Sequence, residues 1–94
     1  MSNGLFVIVR GVNSGVHMGI LQERNGSEVV LSDARRLWRW KGANTLNEIA
    51  LRGCDQDYTR ISEPVGRNTI LDACEVVEVT EPAAISNLTT SRWG

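Results

Sequence analysis

Val16-His17-Met18-Gly19-Ile20-Leu21-Gln22-Glu23-Arg24-Asn25-Gly26-Ser27-Glu28-Val29-Val30-Leu31-Ser32 decides the fold. At its centre, Asn25 and Gly26 both tolerate the left-handed backbone that a type I′ turn requires. The flanks alternate well enough for strands over 16–23 and 28–32, which are expected to pair as a hairpin. Toward the N-terminus, Leu5-Phe6-Val7-Ile8-Val9-Arg10 is short, apolar and rich in β-branched residues, the pattern of a buried strand. Gly11-Val12-Asn13-Ser14-Gly15 then supplies a turn. Toward the C-terminus, a kink at Ser32-Asp33 leads into a further strand over 35–41. The first half therefore reads as an antiparallel meander.

That last strand is chemically unusual. Arg35-Arg36-Leu37-Trp38-Arg39-Trp40-Lys41 holds four of the chain's ten Lys and Arg residues and two of its three tryptophans. In an extended chain side chains alternate, so Arg36, Trp38 and Trp40 share one side while Arg35, Leu37, Arg39 and Lys41 share the other. Indole faces beside guanidinium groups suit stacking on bases and neutralising phosphates. The same run equally suits a strand whose tryptophans fill a small core or a subunit contact.

In the second half, Thr45-Leu46-Asn47-Glu48 fits a capping box, and Leu46, Ile49, Ala50 and Leu51 give the helix behind it an apolar side. Gly53 is placed to stop it. Residues 54–64 read as a polar loop carrying Tyr58, Arg60 and Ile61, and Gly66-Arg67-Asn68 as a turn. Ile70 to Thr80 alternates as the last long strand, with room for a bulge. Thr80 is expected to cap a second short helix that has Glu81 and Pro82 in its first turn. The fold class is α+β: a small antiparallel sheet of about five strands with two short helices, one after the fourth strand and one near the C-terminus. Residues 1–94 form one domain, and 89–94 a short arm whose Trp93 docks on its own domain or a neighbour.

A chain of 94 residues buries a modest fraction of its surface, which favours assembly into oligomers. Cys54 and Cys74 lie far apart and match no metal spacing; they leave room for one disulfide, but two buried thiols are the favoured expectation. The net charge of −1 excludes a globally basic binder of long nucleic acid. Charge is nonetheless segregated. Residues 34–52 are basic, whereas 72–81 carry Asp72, Glu75, Glu78 and Glu81 without a cation. There is no membrane-spanning apolar run and no leader pattern, so a soluble product is expected.

Catalytic chemistry finds little footing. His17, the one histidine, sits between Val16 and Met18 in an expected strand and reads as structural. Ser14-Gly15 lacks the strand–elbow–helix context of a hydrolase nucleophile. Gly11, Gly15 and Gly19 lack phosphate-loop spacing. No catalytic residue, metal site or cofactor is expected. Binding fits better. Arg10 stands at a strand end beside a glycine-rich turn, where backbone N–H groups and a guanidinium can converge on an anion. The candidate ligand-binding residues are Arg10, Arg36, Trp38, Arg39, Trp40 and Tyr58, cations for phosphate and flat faces for a base. The expected partners are a small phosphorylated nucleotide ligand and further copies of the chain.

Val9-Arg10, Ser14-Gly15-Val16 with Gly19, Asn25-Gly26, the run from Ala34 to Ala43 with Leu46, and Arg92-Trp93 together resemble a family of small proteins encoded by tailed phages. Arg10 and the motif around Arg36 and Trp38 also look like those of phage immune-evasion sponges, the Thoeris anti-defence proteins of the first type. The second resemblance implies an oligomer acting in the host cytoplasm. It would sequester cyclic ADP-ribose isomers or cyclic oligonucleotides without degrading them, in pockets between subunits. The alternatives are a virion structural protein, as a capsid decoration or minor tail component, and an inhibitor of a host enzyme.

Overall fold

Val7, Ile8 and Val9 are wholly buried in Phe6–Gly11 (β1), a strand dry on both faces. A computed structural model of the chain describes residues 4–40, 45–55 and 59–90. Lys41, Tyr58 and Arg92-Trp93 lie outside the described residues, as does the side chain of Arg39. No described helix is long and apolar enough to cross a membrane.

After β1 come Gly15–Asn25 (β2), Glu28–Arg39 (β3), Leu46–Arg52 (α1), Arg60–Ile61 (β4), Val65–Ile70 (β5), Ala73–Glu78 (β6) and Pro82–Leu88 (α2). This is a small antiparallel α+β fold with two helices, one near the C-terminus. All strand pairs are antiparallel, in the order β4-β3-β2-β1-β6, with β5 also on β3. Consecutive strands β5 and β6 thus occupy opposite flanks of the sheet, although only Leu71 and Asp72 separate them. Three peptide steps reach at most about 11 Å, so the sheet must curl until its edges nearly meet.

The curl divides the core in two. Inside it lie Val7, Val9, Val29, Leu31, Ala34 and Ile70. On the other face Phe6, Ile8, Met18 and Leu37 pack against Leu46 and Ile49 of α1 and Ala84 and Leu88 of α2. Asn87 joins the two helices: its Oδ1 accepts from the Cys54 N–H at 2.9 Å and its Nδ2 donates to the Cys54 carbonyl at 3.0 Å. Asn87→Ala would strand both peptide groups and is expected to cost about 1–3 kcal/mol, read by chemical denaturation. An unchanged midpoint would show that water replaces the bracket.

Several expectations need correction. The segments 28–32 and 35–41 are not two strands, since β3 runs through Asp33, which takes a left-handed φ of 47°. The first helix consequently follows the third strand. Its cap is as expected at Thr45, whose Oγ1 accepts from the Glu48 N–H at 3.2 Å, while Glu48 also holds Arg52 at 3.1 Å. The β2–β3 turn is Gly26-Ser27, with positive φ at Gly26 alone, the pattern of a type II′ rather than a type I′ turn. The polar loop contains β4, and Gly66-Arg67-Asn68 is strand within β5, because pairing with β3 overrides the local turn preference. The expected strand 70–80 breaks at Leu71-Asp72. Glu81, not Thr80, is the N-cap of α2, with Pro82 opening the helix. Neither cysteine is in a disulfide, and of the two thiols Cys54 is buried and Cys74 exposed.

Candidate binding groove at the end of the sheet

The register of β2 and β3 explains where the tryptophans lie. Val16 pairs with Leu37, and β2 begins one residue earlier, at Gly15, so β3 beyond Leu37 overhangs its neighbour. Alternation holds across this overhang. Leu37 is 1% exposed, whereas Trp38 and Trp40 remain 48% and 38% exposed. Neither tryptophan is core.

A groove of about 920 Å³ opens there, walled by the turn after β1, the overhanging end of β3 and the start of α1. Arg10, Arg36, Trp38 and Trp40 all border it, as do Val12 and Glu75. Four of the six expected ligand residues are therefore brought together. Arg39 lies on the same strand, with its side chain outside the described residues, and Tyr58 is likewise outside them. Arg35 is half-buried and does not border the groove. Among the described residues, neither Arg10 nor Arg36 forms a side-chain hydrogen bond or an ion pair. Glu75 is the cross-strand neighbour of Arg10 and sets a carboxylate on the same rim.

The turn itself is not available to an anion, contrary to expectation. Asp72 already fills it: its Oδ2 accepts from the N–H groups of Asn13 at 2.7 Å and Ser14 at 2.9 Å, and its carbonyl accepts from the Val12 N–H at 2.9 Å. The backbone nest is real, and its occupant is the chain's own carboxylate. Asp72 also takes the Ser14 hydroxyl at 2.7 Å on Oδ1. That hydrogen bond, then the one from Asn13, holds the carboxyl below its ordinary 3.8. Sequence reading assigned Asp72 only to an acidic block.

A directed hydrogen-bond chain continues from Asp72. Its carboxylate can only accept, so the Ser14 O–H donates to it, and the Ser14 oxygen is left to accept from His17 Nε2–H at 3.0 Å. His17 Nδ1 then accepts from Asn68 Nδ2 at 3.4 Å. The chain runs opposite to that of an activated serine, in which histidine withdraws the hydroxyl proton. His17 is 1% exposed, as a satisfied structural histidine should be.

Burial, followed by the nearby Arg36 guanidinium, pushes the His17 pKa below 6.5, against Asp72 and Ser14, which raise it. The folded chain thus keeps His17 neutral where the unfolded chain begins to protonate. Stability from this group is complete above pH 6.5 and is lost as pH falls through the window down to the depressed folded value. Asp72 adds a second loss below pH 3.8. Urea titrations across this range are expected to show the first limb in the native chain and none in His17→Gln. Arg36→Ala should shrink it. A flat profile from neutral pH to 3.8 would contradict the assignment.

Residues 4–87 match the family model described as Domain of unknown function (DUF6948). The chain belongs to that family. No curated protein and no solved structure matches it. The match takes in β1 through the bracket residue Asn87, and so includes every residue that borders the groove.

Proposed function

We propose that the DUF6948 chain captures a small phosphorylated nucleotide-type ligand in the groove and holds it without turnover. The observation that carries this is the placement of two guanidinium groups, without a side-chain hydrogen bond or ion pair among the described residues, beside two half-exposed indoles, all bordering one concavity. Guanidinium groups supply bidentate donors for phosphate, and indoles supply flat faces for a base. A volume of about 920 Å³ suits a ligand of nucleotide size. The hydrogen-bond order Asn68–His17–Ser14–Asp72 supports capture over hydrolysis, since it leaves the serine proton committed to a carboxylate.

The resemblance to phage sponges gives the finer form. In it the protein is phage-encoded and acts in the host cytoplasm as a homo-oligomer, sequestering a cyclic ADP-ribose isomer or a cyclic oligonucleotide. Isothermal titration with these ligands is expected to give saturable heat, and the ligand should be recovered intact from the heated complex. No heat with any of them at protein concentrations well above micromolar would end this proposal.

A virion structural role, as a capsid decoration or minor tail component, is the second reading. It is favoured by Val12, Leu71 and Val65, which are 69%, 71% and 52% exposed and suit a protein contact. Mass spectrometry of purified particles separates the two, since a sponge would be absent from the virion.

A further inference from the structure

His17 and Arg36 are direct partners across the β2–β3 ladder, so their side chains leave the sheet on one face. Arg36 borders the tryptophan-lined groove, and with His17 it also lines a smaller concavity of about 340 Å³. The imidazole is buried, yet it edges that concavity, which gives a proton its way in.

Around the ring stand Val9 on β1, Ser14 before β2, Arg36 on β3, Asn68 on β5 and Asp72 after β5. Only Arg36 and Asp72 among these carry charge. Asp72 is engaged by Ser14 and Asn13 and stays ionised down to below 3.8, which leaves Arg36 as the charge that a ligand can cancel.

The bonds around His17 have room for a second proton. An imidazolium donates from both nitrogens. Nε2 already donates to Ser14 Oγ at 3.0 Å. At Nδ1, half a turn of the Asn68 amide replaces its nitrogen, now 3.4 Å away, by its carbonyl oxygen as acceptor. What opposes that proton is burial first and the Arg36 guanidinium second. An anion on Arg36 offsets the second of these.

We propose that His17 is a proton-linked partner of the phosphate contact: an anion held by Arg36 draws a proton onto His17, and a protonated His17 tightens the hold on the anion. This rests on the nucleotide-capture reading, in which Arg36 contacts phosphate, and adds regulation to it. Linkage makes the two effects equal. Affinity should be flat at neutral pH, rise as pH falls through the His17 titration, and level off beneath it. The total gain is expected to be about threefold to tenfold.

The test is proton NMR of the full chain, in which His17 is the one histidine and its ring signals identify themselves. pH titrations are run in chloride, in sulfate at equal ionic strength, and with a cyclic dinucleotide; the anionic groups of both probes stay fully ionised through the His17 range. Both probes are expected to move the His17 midpoint upward, and isothermal titration should show the matching gain in affinity at acid pH. Arg36→Ala should raise the midpoint without a probe and abolish the response. Arg36→Lys, which keeps the charge, should retain the response. A probe that shifts the Arg36 or Trp38 signals and leaves the His17 midpoint in place would overturn the link while leaving capture standing. So would an equal response in Arg36→Ala. If neither probe perturbs the groove, the capture reading falls and the link falls with it.

Discussion

Gly19→Ala is expected to lower stability by about 1–3 kcal/mol, and Gly19→Val by more. A Cβ at Gly19 would stand 2.8 Å from the Ser32 carbonyl oxygen, 3.1 Å from the Ala34 Cα and 3.3 Å from the Asp33 carbonyl oxygen. All three are backbone atoms of β3, so no rotamer change relieves the clash. The approach is close because β3 bulges there. The register shifts between Met18 and Ile20, and Asp33 takes its left-handed φ opposite them. Relief would require straightening the bulge, which would slip the rest of β3 by a residue and turn Leu37 outward. In a domain worth roughly 5–15 kcal/mol, such a loss moves the thermal midpoint by about 4–8 °C per kcal/mol. Denaturant midpoints with unchanged m-values are the measurement. A Gly19→Ala midpoint equal to that of the native chain would mean the bulge is soft.

The same bulge shows what a single sequence can and cannot disclose. The kink at Ser32-Asp33 was readable from residue type, since Asp tolerates positive φ better than most. Its consequence, one continuous strand instead of two, depends on Gly19 lying opposite, and no local signal reports that. Leu37 buried between exposed Arg36 and Trp38 followed directly from two-residue alternation. The exposure of both tryptophans did not follow, because it arises from the overhang of β3 beyond β2, a fact of register. Gly66 and Asn68 are turn formers by habit, yet the ladder with residues 29–34 holds them extended. Asp72 was hidden for the plainest reason: its partners Asn13 and Ser14 lie 59 and 58 residues away. The turn they belong to was legible, and so was its capacity to hold an anion. That the anion is internal was not. Half of the expected phosphate site is thereby removed, and the guanidinium groups of Arg10 and Arg36 carry what remains.

Replacing Arg36 by alanine and Trp38 by alanine is expected to separate binding from folding in the same strand. Arg36 is exposed and unpaired among the described residues, so Arg36→Ala should change stability by no more than about 0.5 kcal/mol. Losing a charge-assisted contact to phosphate should weaken ligand binding about tenfold to a hundredfold. Trp38 is 48% exposed, so truncating it removes contact area without opening a closed cavity. The stability loss should therefore fall well short of the roughly 3–5 kcal/mol typical of a buried tryptophan. Loss of base stacking, worth about 1–3 kcal/mol per base, should appear in the affinity. The two variants should also differ in salt response: the Arg36→Ala complex loses part of the native complex's salt sensitivity, and the Trp38→Ala complex keeps it. A Trp38→Ala chain as unstable as a core truncation would place the indole in the scaffold. Unchanged affinity in both variants would mean that the overhang of β3 holds no ligand, and the exposed indoles would then be read as a contact surface for another protein.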